Sequence, residues 1–350
     1  MLYRKYRPQT FSKLVGQDHV VRTLEGALTT GRVGHAYLFT GPRGTGKTTI
    51  ARIFAKALNC DNRGKGGEPC DACPPCEAVK NGTSLDLIEI DAASQTGVDN
   101  IRELTDSAMV AASGGKYKVF LIDEAHMLSK SAFNALLKTL EEPPAHVVII
   151  LATTEPHKVI STVLSRVQRF DFKRLTDQDI ITKLTEVAKL EGISIEADAL
   201  LAIARSADGA LRDAEVALTK LRAMMPTGTI TADQVNHALG LIPHTYHPEF
   251  LSLLLGGDKA AAVAMINKIH DSGLDLEHFA KEFLGYVRKG LISRINPATL
   301  AMAQGEQHPD LLAADQQLLI KIISVFTVAR AQIRTSPIPQ LPLELAILEL

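Results

Sequence analysis

A glycine-rich loop between an apolar run and an amphipathic stretch constrains the fold of this chain more than any other feature. Residues 41–48 read Gly-Pro-Arg-Gly-Thr-Gly-Lys-Thr, a complete G-x-x-x-x-G-K-S/T motif that joins a predicted strand to a predicted helix. In such P-loops, backbone N–H groups and the helix N-terminus surround phosphates, the lysine reaches the β and γ phosphates, and the last hydroxyl contacts Mg²⁺. The predicted ATP-binding residues of this segment are Gly41, Pro42, Arg43, Gly44, Thr45, Gly46, Lys47, Thr48 and Thr49.

A second apolar run ends in two adjacent carboxylates. Residues 118–122 are followed by Asp123 and Glu124, the pattern of a Walker B element. We predict that Asp123 holds Mg²⁺ together with Thr48, and that Glu124 orients and activates the attacking water. A strand that ends in solvated acids is the alternative, and the P-loop upstream disfavours it. His126 completes Asp-Glu-Ala-His, which also occurs in a class of helicases, but neither further helicase motifs nor a second ATPase core is found.

Short apolar runs alternate with amphipathic stretches from residue 36 to residue 172, as in βα units around a parallel sheet. We predict strands at 36–40, 86–90, 118–122, 147–152 and 167–172, with helices at 47–58, 98–112 and 131–140. From residue 176 the strand pattern disappears, and helices are predicted at 177–191, 198–204, 211–225, 248–255, 258–271, 276–288 and 313–334. Three domains are therefore predicted: a doubly wound α/β ATPase core over 1–172, a small helical domain over 173–240 and an all-α domain over 241–350.

The cysteines are confined to one short segment. Cys60, Cys70, Cys73 and Cys76 follow the pattern C-x9-C-x2-C-x2-C and are the four cysteines of the chain. Thiolates at two-residue gaps suit tetrahedral Zn²⁺, and four protein ligands would make the site structural. An iron–sulfur cluster is the main alternative, followed by free thiols. We predict a zinc-binding insertion over residues 60–80.

Composition limits the classes of partner. The formal net charge is -1, so bulk electrostatics indicate no nucleic-acid binding, and any DNA contact must come from a local surface. The N-terminal ten residues lack the apolar segment of a secretory signal, and no apolar stretch reaches the roughly 20 residues of a membrane helix. A cytoplasmic protein without a membrane partner is predicted. Because the chain ends in the apolar segment 341–350, we expect the natural protein to continue, although a docked C-terminal helix would look the same.

Three residues outside these motifs lie where nucleotide contacts are expected. Thr154 follows the fourth predicted strand, where a polar side chain can sense the γ-phosphate. Arg166 precedes the fifth predicted strand, and Arg212 opens a helix of the second domain. An ordinary strand-end threonine, a surface arginine and a helix-capping arginine are the alternatives.

Together these motifs resemble the gamma/tau subunits of the bacterial DNA polymerase III clamp loader, a family of AAA+ ATPases. The resemblance covers essentially the whole chain, and the four-cysteine insertion is its most discriminating part. It is carried by residues 6–11, 15–17, 35–39, 86–94, 121–128, 133–144 and 151–156, besides the P-loop and the insertion. The family carries Ser-Arg-Cys where this chain has Ser165-Arg166-Val167, a departure that keeps the arginine.

The resemblance implies roles for individual residues. Arg7, Pro8 and the backbone near Val15 would enclose the adenine. Thr154 would be the sensor 1 residue, and Arg212 would contact nucleotide as sensor 2 from the second domain, which would be a lid. Arg166 would be an arginine finger that acts in trans on a neighbour's ATP site. The last domain would be the collar of a ring-like pentamer of clamp-loader subunits.

The function implied is an ATP-driven motor that opens a sliding clamp and places it on primed DNA without sequence specificity. DNA contacts are predicted through Thr96 or Lys130. A non-catalytic AAA+ scaffold subunit is the alternative, and Lys47, Thr48, Asp123, Glu124 and Arg166 disfavour it because all are intact. A P-loop phosphotransferase would need its own acid and base residues beyond the core, where the sequence is helical and apolar.

Overall fold

The structure, a computed structural model, describes residues 1–94, 97–243, 245–295 and 314–350. The predicted DNA-contacting residue Thr96 lies outside them, as does Ala313, the first residue of the last long predicted helix. The chain forms two compact units, residues 1–231 and 232–350.

A five-stranded parallel sheet forms the centre of the first unit, as predicted. Its strands are β1 (Ala36–Thr40), β2 (Leu87–Asp91), β3 (Lys118–Asp123), β4 (Val147–Thr153) and β5 (Gln168–Asp171). They lie in the order β2-β3-β4-β1-β5, so β4 separates the P-loop strand β1 from the Walker B strand β3. Because all strands are parallel, the P-loop, Asp123 and Thr154 follow strand ends at one edge of the sheet.

Helices cover both faces of this sheet, which makes the core doubly wound. The helices of the first unit are α1 (Leu2–Lys5), α2 (Asp18–Thr30), α3 (Lys47–Leu58), α4 (Pro74–Asn81), α5 (Val98–Ala108), α6 (Lys130–Glu141), α7 (Ser161–Leu164), α8 (Asp177–Glu191), α9 (Ala197–Ser206) and α10 (Leu211–Met224). The helices α2 and α3 pack on one face, whereas α5 and α6 pack on the other. Helix α2 was not predicted, although Val20, Leu24 and Leu28 repeat every fourth residue on its buried side.

Helix α5 ends at Ala108 instead of the predicted residue 112, because the following loop binds a carboxylate. Asp86 was predicted to begin β2 but precedes it, and its side chain accepts hydrogen bonds from the backbone N–H groups of Ser113, Gly114 and Gly115 at 2.6, 2.9 and 2.8 Å. These bonds hold the loop against the start of β2, so the helix cannot continue through it.

The predicted absence of strands beyond residue 176 is wrong at one place. Two short strands, β6 (Ser194–Ile195) and β7 (Thr229–Ile230), pair in parallel beside α8 to α10. Strands of two residues are too short to show alternation of apolar and polar side chains, so a sequence pattern could not predict them.

The second unit is helical, as predicted for the last domain. Its helices are α11 (Ala232–Leu239), α12 (Tyr246–Leu255), α13 (Lys259–Asp271), α14 (Leu276–Ile295), α15 (Gln316–Ile333) and α16 (Leu341–Glu349). Buried Phe250, Phe279, Phe283 and Phe326 meet in its core, where the rings of Phe250 and Phe283 are 4.9 Å apart and T-shaped. Among the described residues, no helix is both long and apolar enough to span a bilayer.

A carboxylate at the end of α8 fastens the N-terminal segment. Glu191 accepts hydrogen bonds from Lys5 Nζ at 2.7 Å and from the Tyr6 hydroxyl at 2.8 Å, and it also pairs with Arg222 of α10. The hydrogen bonds from Lys5, Tyr6 and Arg222 lower the pKa of Glu191 to about 2. These bonds therefore fix the N-terminal segment against α8 and α10.

We predict that Glu191→Gln lowers the thermal stability of the protein at pH 7. Because the folded-state pKa of about 2 lies below the ordinary glutamate value, the contribution of Glu191 is present at neutral pH and is lost as pH falls from about 5 toward 2. The difference in melting temperature between wild type and variant should shrink over that range in calorimetry. Glu186→Gln on the same helix, where the carboxylate is 58% exposed beside Lys183, serves as the control and should change little. A difference that stays constant down to pH 2 would contradict the assignment.

Candidate functional site

The P-loop opens into a cavity of about 460 Å³ within the first unit. Of the predicted ATP-binding residues, Arg7, Pro8, Val15, Arg212 and those from Arg43 to Thr49 line this cavity, together with Asp123 and Glu124. Its further lining residues are Tyr3, Leu14, Gln17, Ile50, Asp91, Ala93, Leu175, Leu211 and Glu215. Gly41, Pro42, Thr154 and Arg166 are not among the described residues that line it.

Close contacts explain why glycine occupies two positions of the P-loop. Gly41 has a φ of 144°, and a Cβ atom there would lie 2.4 Å from the carbonyl oxygen of Phe172. Gly44 has a φ of 77°, and a Cβ atom there would lie 2.9 Å from the Cβ atom of Ala210. A side chain at either position would therefore collide as well as strain the backbone. The loop is held between the residue after β5 and the residue before α10.

The P-loop lysine is buried within its own loop. Lys47, the first residue of α3, is 6% exposed, and its Nζ donates to the carbonyl oxygens of Gly41 and Pro42 at 2.8 Å each. Burial lowers the pKa of Lys47, and the nearby carboxylates of Glu124 and Asp123 oppose that shift. An ammonium group beside the loop is thus available to a phosphate oxygen in the cavity.

A hydroxyl and a carboxylate meet between the P-loop helix and the Walker B strand. Thr48 Oγ1 donates to Asp123 Oδ2 at 2.7 Å, and the backbone N–H of Glu124 donates to Asp123 Oδ1 at 3.0 Å. Hydroxyl and carboxylate oxygens are hard ligands of the kind that Mg²⁺ prefers. The donor set of these two side chains therefore fits the predicted Mg²⁺ site.

Glu124 belongs to a hydrogen-bonded cluster at the ends of β3 and β4. Its backbone is left-handed, with φ 48°, and its Oε2 accepts from Thr154 Oγ1 at 3.2 Å. His126 Nδ1 lies 3.5 Å from the same Oε2 and 3.0 Å from Thr153 Oγ1, while its Nε2 lies 3.4 Å from Glu155 Oε2. Thr154 thus contacts Glu124 rather than the cavity. The contacts of His126 were not predicted.

One part of the cavity wall is apolar. Pro8, Leu14 and Val15 of the N-terminal segment line it together with Leu175 and Leu211. This wall and the P-loop end suit two different parts of one ligand, an apolar flat group and a phosphate chain.

Charged side chains of the N-terminal segment and α10 meet at the cavity. The guanidinium of Arg212 stacks over the ring of Tyr3, with 4.8 Å between the guanidinium carbon and the ring centre. Burial, with a smaller contribution from the nearby Arg52 guanidinium, lowers the pKa of Arg7. Arg7 and Arg212 thus bring two positive charges to one cavity.

Glu215 of α10 lines the same cavity and was missed from the sequence. It is 6% exposed, and burial raises its pKa to about 7. A pattern in the sequence could have found it, since Glu215 lies four residues after Leu211 and three before Leu218, on the apolar side of the helix. Carboxyl groups are rarely buried on the apolar side of a helix, so this position points to a specific contact.

Arg166 lies away from the cavity. It follows α7 and precedes β5, so it is at the edge of the sheet opposite to the P-loop. Its Nη2 pairs with Glu141 Oε1 at 2.8 Å, and its Nη1 donates to the carbonyl oxygen of Thr162 at 2.7 Å. About a third of the side chain, 35%, is exposed. The guanidinium is therefore accessible at the surface of the described chain.

The four cysteine sulfurs converge. All four Sγ atoms lie within 4.8 Å of one another, and the Cys70–Cys76 and Cys60–Cys73 pairs are each 3.9 Å apart. Sulfurs at 2.3 Å from a tetrahedral zinc ion lie about 3.8 Å apart, so this donor set fits zinc. Backbone N–H groups of Ala72 and Cys73 lower the pKa of Cys70 to about 6, whereas burial raises the pKa of Cys60 and of Cys76.

Side chains of this insertion hold the N-terminal segment in place. Lys56 of α3 is 1% exposed, and its Nζ bonds both Asp71 Oδ1 at 2.6 Å and the carbonyl oxygen of Gln9 at 3.1 Å. The carboxylate of Glu68 accepts from the backbone N–H groups of Phe11 and Ser12 at 3.0 Å each. The insertion therefore buttresses the segment that carries Arg7 and Pro8.

Sheet order, P-loop and helical segment define the chain as a P-loop protein with the AAA+ fold. It belongs to the gamma/tau family of DNA polymerase III subunits. The fold matches the RuvB Holliday junction branch migration motor of Thermotoga maritima, with a TM-score of 0.51 at 19% identity over 77% of this chain and 86% of that one. Family models match residues 16–176 (DNA polymerase III, delta subunit), 179–219 (DNA polymerase III clamp loader subunit, ATPase lid domain) and 230–350 (DNA polymerase III subunits gamma and tau domain III).

Curated relatives support the family assignment. DNA polymerase III subunit tau of Bacillus subtilis is 45% identical over 85% of this chain, and that of Escherichia coli is 42% identical over 86%. DNA polymerase III subunit gamma of Buchnera aphidicola is 40% identical, with 85% of this chain and 80% of that protein aligned. The chain spans about half the length of the two tau subunits, 52% and 46%.

Proposed function

We propose that this chain binds ATP and Mg²⁺ and hydrolyses ATP as a motor subunit of a clamp loader, opening a sliding clamp and placing it on primed DNA. One observation carries the proposal: a single cavity brings together the Lys47 ammonium, the Thr48–Asp123 pair and the Glu124 carboxylate. A subunit that serves only as a scaffold needs none of these groups, so the alternative of a non-catalytic subunit is not favoured.

The residues of the chain divide the chemistry between them. Lys47 exchanges its two loop carbonyls for the β and γ phosphate oxygens. Thr48 and Asp123 would hold Mg²⁺, which would supply positive charge against the phosphates. Glu124 takes a proton from the attacking water, and the hydrogen bond from Thr154 orients its carboxylate. Arg212 reaches the phosphates from α10, so nucleotide connects the helical segment to the sheet core.

We further propose that residues 173–240 act as the lid and residues 241–350 as the collar of a ring-like pentamer with other clamp-loader subunits. Within such a ring, Arg166 enters the ATP site of a neighbour, since it is exposed at the sheet edge opposite to its own P-loop. Lys130, an exposed residue at the start of α6, is proposed to contact the DNA backbone.

The cysteine insertion is proposed to hold one structural zinc ion. Four protein sulfurs complete a tetrahedral shell, which leaves no coordination position for catalysis. Its contribution to function is mechanical, because Glu68 bonds the N-terminal segment directly and Asp71 bonds it through Lys56.

Lys47→Ala and Glu124→Gln separate binding from hydrolysis. Lys47→Ala should abolish tight ATP binding because the phosphates lose the loop ammonium, whereas Glu124→Gln should bind ATP normally and hydrolyse it slower by orders of magnitude. Equilibrium binding and ATPase assays, run in the presence of partner subunits, clamp and primed DNA, measure the two effects. Equal loss of binding in both variants would break the assignment of roles.

Elemental analysis of the purified chain should find one zinc per chain. Cys73→Ser should lower zinc content and reduce folding yield, because an incomplete sulfur shell no longer orders the insertion. Protein of this variant that remains folded should keep its ATPase activity, so the loss should appear in the folding yield and not in the activity per folded chain. Iron in the sample, or an absorption band in the visible region, would show that the cysteines hold an iron–sulfur cluster instead of zinc.

Arg166→Ala should leave ATP affinity of the isolated chain nearly unchanged and suppress ATPase of the assembled complex by about 10³- to 10⁵-fold. Arg169→Ala, which removes a neighbouring exposed guanidinium paired with Asp171, is the control and should keep activity.

A mixing experiment tests whether Arg166 acts in trans. Complexes that contain both Lys47→Ala and Arg166→Ala chains should recover activity, because each Arg166→Ala chain keeps an intact P-loop that the finger of a Lys47→Ala chain can complete. No recovery in demonstrably mixed complexes counts against action in trans.

A further inference from the structure

A buried carboxyl group faces the cavity without a protein partner. Glu215 lines the cavity at 6% exposure, and among the residues that the structure describes, none donates a hydrogen bond to its side chain. Burial raises the pKa of Glu215 to about 7, and the charges of Lys183 and Arg7 oppose that shift. The side-chain oxygens of Glu215 are not among the fully buried atoms without a partner in the described residues, so they open onto the cavity, where a donor from a ligand can reach them.

The position of Glu215 indicates which part of a nucleotide it would meet. The phosphate end of the cavity is marked by Lys47 and by the Thr48–Asp123 pair. The charge of Arg7 acts on Glu215, so Glu215 lies near the N-terminal segment, which also brings Pro8 and Val15 to the cavity. A carboxyl oxygen beside a base can accept a hydrogen bond from an amino group of that base.

We propose that the side chain of Glu215 accepts a hydrogen bond from the exocyclic 6-amino group of adenine and thereby contributes to recognition of ATP. The assignment rests on the proposed function, since it takes the ligand of the cavity to be ATP. A carboxyl oxygen accepts a hydrogen bond in either protonation state, so the contact does not depend on the charge of Glu215. A site built to bond one polar group discriminates against an analogue that lacks it.

Purine riboside triphosphate, which is ATP without the 6-amino group, is the probe. Wild type should bind it about 10-fold or more weakly than ATP, as expected for the loss of one hydrogen bond to a buried carboxyl. Glu215→Leu should bind the two nucleotides nearly equally, whereas Glu215→Gln, which keeps an acceptor oxygen, should retain most of the preference.

Leu211→Ala is the matched control, because it trims the apolar wall one turn away and removes no polar group. It should weaken both nucleotides alike and leave their affinity ratio unchanged. The measurement is equilibrium binding with Mg²⁺ present, and circular dichroism confirms that each variant is folded. If Glu215→Leu does not fold, the ratio of the affinities for ATP and purine riboside triphosphate is still measured in wild type and in Glu215→Gln. A ratio near one in wild type would then still overturn the assignment.

Each outcome has a defined meaning. Equal binding of the two nucleotides by wild type, or an unchanged ratio in Glu215→Leu, would overturn the assignment while the proposed ATPase function stands. Tighter binding of GTP than ATP by wild type, lost in Glu215→Leu, would show that the carboxylate recognises guanine instead. A wild-type chain that binds no ATP would overturn the proposed function and this assignment with it.

Discussion

The burial of the Lys47 ammonium is the constraint on which the site depends. A charged group at 6% exposure must have partners, and the chain provides two carbonyl oxygens from the same loop and two carboxylates nearby. The carbonyls face inward because Gly41 takes a backbone conformation open to glycine, pressed against Phe172. The loop therefore holds its shape around a cation, and a phosphate has only to replace carbonyl oxygens that the lysine already bonds.

The part of the cavity wall that the N-terminal segment forms depends on contacts that are distant in sequence. Residues 7–15 carry Arg7, Pro8 and Val15 to the cavity, and they are fastened at one end by Glu191 and at the other by Glu68 of the cysteine insertion. Lys56 connects both regions to the P-loop helix, because one ammonium bonds Gln9 and Asp71. This part of the cavity is thus held in place by side chains from α3, α8 and the cysteine insertion.

The sequence predicted most of the fold and the P-loop and Walker B residues that meet at one cavity, because those features are local. The five strands and the motifs after them follow from apolar runs and from fixed residue spacing. The strand order, which inserts β4 between β1 and β3, depends on long-range pairing that no local pattern records. Helix α2 was missed although its apolar spacing was visible, and Glu215 was missed because apolar spacing predicts a helix without assigning a role to a carboxyl group on its apolar side. The trans role of Arg166 concerns a neighbour and stays a prediction.

The ion pair between Arg166 and Glu141 has a consequence for assembly. The guanidinium already has an anionic partner at 2.8 Å within its own chain. Under the proposed arrangement, a neighbour's phosphate must displace that carboxylate, so docking exchanges one anion for another and adds no ion pair. The free energy of the exchange then depends on how far the charge of the phosphate exceeds that of Glu141. A contact between subunits built in this way would distinguish a neighbour that holds a triphosphate from one that holds a diphosphate.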